Sequence, residues 1–184
     1  MDNHLNNQWT LWYHDPYNNE WNIDSYKNIY TITTINDFAK IKNSWSILPT
    51  IKSSMYFLMR IHIKPMWEDK NNISGGLWSF KITGTDNDIL DTWMKLSIYL
   101  QGESLLKNTN NYKLINGISI SPKKFFSIIK IWCKEEFNNT LFNDDLLTIL
   151  DFKNGIYKPH NENILKDNKK KFKNKMIKFK KNRK

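Results

Sequence analysis

Residues 115–134 read INGISISPKKFFSIIKIWCK. Ile115–Ser121 and Phe126–Lys134 are alternating, β-branched runs, and Pro122-Lys123-Lys124 between them is a turn. The stretch reads as a β-hairpin. Upstream, Trp9–His14, Lys27–Thr34, Met55–Arg60 and Leu77–Ile82 have the aromatic or β-branched content of strands. Asp15–Asn19 is a turn cluster, and Lys64–Gly76 is a long polar loop. Ile35, Phe38, Ile41 and Trp45 fall at helical spacing behind Thr34 as N-cap, which predicts a helix from Ile35 to about Trp45. Leu90, Trp93, Ser97 and Leu100 trace one face of a second helix over Asp88–Gly102. A short helix near Asn139–Leu147 and a last strand near Thr148–Lys153 complete the body. Hairpin connections dominate and no internal repeat is visible. The predicted fold class is α+β, built on a single antiparallel sheet.

The chain has 184 residues, of which 40% are apolar and 14% aromatic, enough for one buried core. Its one cysteine, Cys133, excludes an intramolecular disulfide and a Cys-based zinc site, and fits the reducing interior of a cell. The first residues lack the basic and apolar regions of a signal peptide. No run approaches the roughly 20 apolar residues of a membrane span. The net charge of +10 is localised. Residues 1–165 hold 17 Lys+Arg and 17 Asp+Glu, whereas residues 166–184 hold 11 Lys+Arg and one acid. The expectation is a neutral folded domain over 1–165 and a Lys-rich, disordered tail over 166–184. Asn, Ile and Lys number 25, 23 and 26, the skew of an AT-rich genome, so isolated Lys and Asn carry little weight.

Enzymatic readings are poor. His4, His14, His62 and His160 show no metal-binding spacing. Cys133 has no histidine near it in sequence, and Gly75-Gly76 lacks the Lys-Ser/Thr of a phosphate-binding loop. No catalytic residue, metal or cofactor is expected. The aromatics say more. Trp21 and Trp67 lie in loops, where an indole has less chance of being core than in a strand or helix. Two such rings can sandwich a planar base. Glu68 offers two acceptor oxygens, which match the N1–H and N2–H₂ donors of guanine and reject adenine. Lys123 and Lys124, at a hairpin turn, are placed to hold phosphates.

This arrangement resembles the eukaryotic translation initiation factor 4E family, which binds the 7-methylguanosine cap of mRNA. The resemblance spans residues 4 to about 153. It is carried by His4-Leu5, Trp9-Thr-Leu-Trp12, Trp21, Thr34-Ile-Asn-Asp-Phe38, Ile63-Lys-Pro-Met-Trp67-Glu68-Asp69, Gly75-Gly-Leu-Trp78, Trp93, Leu100-Gln-Gly102-Glu103 and Ile131-Trp132. It implies a curved antiparallel sheet backed on its convex face by about three helices, with the cap in the concave face. Trp21 and Trp67 would stack on the methylated base, Glu68 would accept its N1 and N2 hydrogens, and Trp132 would contact the N7 methyl. Trp9, Trp12, Trp78 and Trp93 match the family's structural tryptophans; Trp45 has no counterpart. The implied role is a cytoplasmic, non-enzymatic initiation factor that passes capped mRNA to a scaffold of the factor 4G type and is otherwise monomeric. The codon skew fits a protist or large-DNA-virus member of the family.

Three departures stand out. Lys123 replaces the family's phosphate-binding Arg, keeping the charge and losing the bidentate fork. Phe125 and Ile128 occupy its other basic positions, with Lys124 or Lys130 as substitutes; Lys130 shares the parity of Trp132 and so its side of the strand. The family's scaffold surface is expected here at His4, Leu5, Ile35, Ala39, Met94, Lys95 and Ile98. Ala39 stands where the family has a Trp, and Lys95 reverses the charge of a Glu. Met94 and Ile98 lie off the predicted core stripe and read as docking residues. The changes point to a rewired partner surface, and so to an alternative role as a cap-binding regulator that does not use the usual scaffold. A general single-stranded RNA-binding module is the other alternative, with the tail contacting RNA or the ribosome.

Overall fold

The computed structural model describes residues 3–162 and 164–165. The tail expected over 166–184 lies outside the described residues. The elements, in order, are β1 (His4–His14), β2 (Tyr26–Thr34), α1 (Ile35–Asn43), β3 (Met55–Arg60), β4 (Gly76–Ile82), α2 (Asp86–Gln101), β5 (Ile115–Pro122), β6 (Ser127–Cys133) and β7 (Ile156–Pro159), with short 3₁₀ turns between them. The strands form one curved, antiparallel, seven-stranded sheet in the order β2-β1-β3-β5-β6-β4-β7. The α+β expectation holds.

Both helices start at a capping box. Thr34 and Thr85 accept from the backbone N–H of Asp37 and Asp88, and each carboxylate takes the cap residue's own N–H in return. This corrects the predicted start of the second helix: Asp88 is its third residue, and the helix begins at Asp86. α1 stops at Asn43, and Trp45 follows in a 3₁₀ turn, buried in the core.

Strand alternation divides the apolar residues between two faces. Leu11, Tyr56, Leu58, Phe80, Ile118, Ile120, Ile129, Ile131 and Cys133 pack with Ile89, Trp93, Leu96 and Leu100 of α2 in the main core. Tyr26, Phe57, Met59, Ile63, Leu77 and Trp132 form a second cluster on the opposite face. Neither α1 nor α2 contributes a residue to this second cluster, which marks the open face of the sheet.

Two expectations at the chain's end need correction. Residues 144–148 form a 3₁₀ turn, and residues 149–154 continue as turns and bends rather than a strand. Among the described residues the last strand is β7, paired with β4 in the register Leu77↔Lys158. Gly76 permits that approach, since a Cβ there would lie 2.5 Å from the Lys158 carbonyl oxygen. Residues 160–162 and 164–165 are helical.

Candidate nucleic-acid interface

The loop between β3 and β4 carries Trp67 and Glu68, and its own polar groups hold it in shape. Asn72 is fully buried and donates to the carbonyls of Lys64 (2.9 Å) and Met66 (2.8 Å). Its Oδ1 accepts from Asn116 of β5 at 3.0 Å. The Asp69 carboxylate accepts from the backbone N–H groups of Lys64 and Asn71. The loop is thus tied at both ends and to the sheet, which fixes the peptide that presents Trp67. Trp67 is half-buried against the open-face cluster, and Glu68 is exposed.

Trp21 arrives from the other side. Asp15 and Asn18 cap successive turns by accepting from the N–H groups of Tyr17 and Glu20. The Glu20 carbonyl meets His14 Nε2 at 2.9 Å. The indole of Trp21 then lies flat on the buried His14 ring, with centroids 4.3 Å apart and planes 5° apart. One face of the indole is covered by His14, and the side chain remains 51% exposed. The Tyr26 ring stands edge-on 6.4 Å away. Burial, with the Glu68 carboxylate nearby, pushes the Tyr26 phenol well above its ordinary pKa. Tyr26 thereby links the Trp21 side to the Trp67–Glu68 side. From it an aromatic line crosses the sheet through Phe57 (5.3 Å) and Trp132 (6.2 Å further) to His160 (5.1 Å).

Trp132 is buried at 3% exposure and donates its indole N–H to Ser119 Oγ at 2.9 Å. Lys130 stands two residues away on the same face. Burial, Lys123 and Lys158 together push its ammonium down to about 8. Lys130 shares the face of Trp132, and Lys123 and Lys158 both bear on Lys130 by charge repulsion. Lys124 instead lies over its neighbour Phe125, 5.0 Å from the ring centroid, at the hairpin tip. Sequence reasoning missed Lys158 and His160. Burial and the Lys130 charge lower the His160 imidazole to about 4. Only the β7 register, which sets Lys158 opposite Leu77, reveals that the two belong to this face.

On the helical side, Ile35 and Ile98 are exposed at 52% and 53%, as are His4 and Ala39, while Leu5 packs on the core. A shallow cleft of about 500 Å³ opens beside Ala39, lined also by His4, Thr33, Asp37, Lys40 and Asn43. Lys95 is ion-paired to Asp91 one turn earlier, at 2.7 Å. Met94 departs from expectation: it is 6% exposed and belongs to the core, not to a docking surface. The buried residues of α2 run from Leu96 round to Met94, roughly 160° of the helix at about 100° per residue, wider than the stripe read from the sequence.

Fold and open face together define a class of protein. It is a one-sheet domain with helices on one side and, on the other, an aromatic face with a carboxylate toward the β2 edge and lysines toward the β7 edge. The chain belongs to the eukaryotic initiation factor 4E family, whose description matches residues 4–176. Eukaryotic translation initiation factor 4E of Saccharomyces cerevisiae is 29% identical over 139 residues, covering 72% of this chain and 62% of the relative. That of Candida albicans is 33% identical over 140 residues, covering 71% and 64%. A homolog of the factor from Acanthamoeba polyphaga mimivirus is 31% identical over 137 residues, covering 64% and 50%. The chain spans between 53% and 64% of the length of the curated fungal relatives it matches. Among solved structures, Caenorhabditis elegans eIF4E-3 in complex with the 4E-binding protein Mextli superposes with a TM-score of 0.73 at 22% identity, covering 89% of this chain and 96% of that one. Ascaris suum eIF4E-3 with m7G cap gives 0.65 at 25% identity, covering 77% and 78%.

Proposed function

We propose that this chain binds the 7-methylguanosine cap of mRNA and serves as a cytoplasmic translation initiation factor that delivers capped mRNA to a scaffold protein, with no chemical step of its own. The observation that carries the reading is the convergence on one open face of Trp67 and Glu68, the His14-backed Trp21, Trp132 and the Lys123–Lys130 pair. The base enters between Trp21 and Trp67, with His14 and the tied β3–β4 loop holding the two rings in advance. Glu68 accepts N1–H and N2–H₂, the Trp67 backbone N–H donates to O6, and Trp132 meets the N7 methyl. N7 methylation makes the base a cation. Each stacked ring then gains about 0.5–2 kcal/mol, and the carboxylate contacts become charge-assisted. Lys123 and Lys130 hold the phosphates, with Lys124 at the rim. The cap complex of the Ascaris suum relative supports the ligand class. Selective retention on 7-methyl-GTP resin, with release by 7-methyl-GTP but not by GTP, tests the proposal; equal release by both would overturn it.

A second reading concerns the partner. The Mextli complex of the Caenorhabditis elegans relative supports a protein partner. The exposed Ala39 beside a polar-lined cleft, and Lys95 held by Asp91, favour one other than the usual scaffold helix, and so a regulatory role. A Tyr-x4-Leu-hydrophobic peptide is expected to bind weakly, and tight binding would contradict the rewiring.

A further inference from the structure

Phe125, Phe126 and Ile128 stand at and beside the tip of the β5–β6 hairpin, and none of them belongs to either apolar cluster of the sheet. Phe125 is 80% exposed, and Phe126 and Ile128 are half-buried. Turn chemistry does not ask for a Phe here. The Lys123 N–H donates to the Phe126 carbonyl at 2.7 Å, which leaves Lys124-Phe125 as a two-residue tip. Such tips favour Asn-Gly or Gly-Gly pairs, whose backbones adopt positive φ. Neither Lys124 nor Phe125 does so. The exposed ring therefore serves neither the core nor the turn, and with its neighbours it makes an apolar patch rather than a scattered surface residue.

The patch lies in line with the proposed cap site. Leu77 and Trp132 share the open-face cluster, and the register Leu77↔Trp132, Ser79↔Lys130, Lys81↔Ile128 puts Lys81, Ile128 and Lys130 on that same face. The Lys81 ammonium stands 4.9 Å from the Phe126 ring centroid, which places that ring there too. Along one strand the order is thus base contact at Trp132, phosphate contact at Lys130, then the apolar patch. At about 3.3 Å per residue the patch begins roughly 7 Å beyond Lys130. The Lys124 ammonium likewise lies 5.0 Å from the Phe125 ring centroid. Residues 104–134 hold no Asp or Glu, and among the described residues no ion pair involves Lys81 or Lys124. Apolar rings edged by uncompensated cations suit a base that arrives with its phosphate. A bilayer surface would need only the projecting tip. Phe126 and Ile128 instead continue the row of Trp132 and Lys130, which favours a ligand lying along the strand.

Resting on the cap-binding reading, we propose that Phe125, Phe126 and Ile128 form a second subsite, a stacking platform for the base of the nucleotide joined to the cap through its triphosphate. The contact between an ammonium and an exposed phenyl ring is weak, so Lys81 and Lys124 can shift to the following phosphate as the base takes the ring. Every base has a π-face, so the platform accepts any of the four. The protein thereby holds a capped RNA end by its first two bases and the phosphates between them.

The test uses the full chain with 7-methyl-GTP, a capped dinucleotide whose second base is guanine, and the same dinucleotide with that base replaced by hydrogen. The intact dinucleotide should bind at least about fivefold more tightly than its abasic form, the low end of what base–aromatic stacking contributes. Phe125→Ala combined with Phe126→Leu removes both rings and keeps an apolar side chain at 126. It should abolish that difference and leave 7-methyl-GTP binding unchanged. Phe125→Ala alone, at a tip outside both apolar clusters, should reduce the difference, and Phe126→Tyr should keep it. Equal binding of the intact and abasic dinucleotides, or a difference that survives the double variant, would overturn the platform while 7-methyl-GTP binding still upholds the cap reading. Failure of all three ligands to bind would remove the cap reading and the platform with it. A double variant that loses its binding to phosphatidylserine-containing vesicles, with all three cap ligands unaffected, would overturn the platform in favour of a membrane partner.

Discussion

Trp21 and Trp67 reach the same face by different routes, one pressed on His14 and one set by a tied loop. In the proposed site, the residue that would turn a stacking slot into a guanine reader is Glu68. It is exposed, and it sits close enough to Tyr26 to raise that phenol. Glu68→Gln keeps the shape but removes the charge and exchanges one acceptor for a donor. Hydrogen bonds to charged groups contribute about 1.5–3 kcal/mol, so affinity for 7-methyl-GTP should fall roughly 10- to 150-fold. GTP should lose less, because its base carries no positive charge. Calorimetry on both ligands checks this; an equal loss for the two would deny Glu68 a role in reading the methylated base. Pro-Met-Trp-Glu-Asp at 65–69 was legible because its residue types together are distinctive. Lys158 and His160 were not, because a Lys and a His in an Asn- and Lys-rich chain carry no signal until pairing places them.

At the scale of elements, the β3–β4 loop is the part whose order the site depends on. Asn72 touches no proposed ligand, yet its amide satisfies two loop carbonyls and anchors to Asn116. Asn72→Ala removes three side-chain hydrogen bonds that tie the loop to itself and to β5, at a cost of about 2–3 kcal/mol in stability. It should also weaken 7-methyl-GTP binding at least about tenfold through misplacement of Trp67. Urea unfolding and ligand titration of the same variant test both; a stability loss with intact affinity would show that the loop does not position the ring. The hairpin at 115–134 was legible from alternation, and α1 from its cap. β7 was not: its four residues, Ile156–Pro159, are too few to display a period. Met94 was misread because periodicity marks the centre of a buried stripe, not its width, and α2 is covered more widely than the stripe implied.

Over the whole molecule, a buried, uncharged His160 couples stability to pH. Its imidazole is held to about 4, against 6.5 when unfolded. Between those values the unfolded chain binds the proton and the folded chain does not, so stability rises with pH across this window and is lost as pH falls from about 6.5 toward 4. The loss is on the order of 3 kcal/mol. Urea midpoints at pH 7 and pH 4.5 should differ accordingly, and His160→Phe should reduce the difference; an unchanged pH response would mean His160 is not the group responsible. One sheet therefore divides the work: one face is packed by helices, and the other carries aromatics, a carboxylate and cations. That division was readable in outline from strand parity, as with Lys130 and Trp132. Which further residues complete the open face depended on strand order, which no local pattern states.

The most direct test of the cap-binding account is a tryptophan-quenching titration of the full chain with 7-methyl-GTP, GTP and ATP, alongside Trp67→Ala. Circular dichroism and urea unfolding would show that the variant keeps its fold. The account predicts saturable quenching by 7-methyl-GTP, binding at least about tenfold weaker for GTP, none for ATP, and loss of the 7-methyl-GTP response in a folded Trp67→Ala protein. Equal affinity for 7-methyl-GTP and GTP, or an unaltered response in the variant, would contradict it.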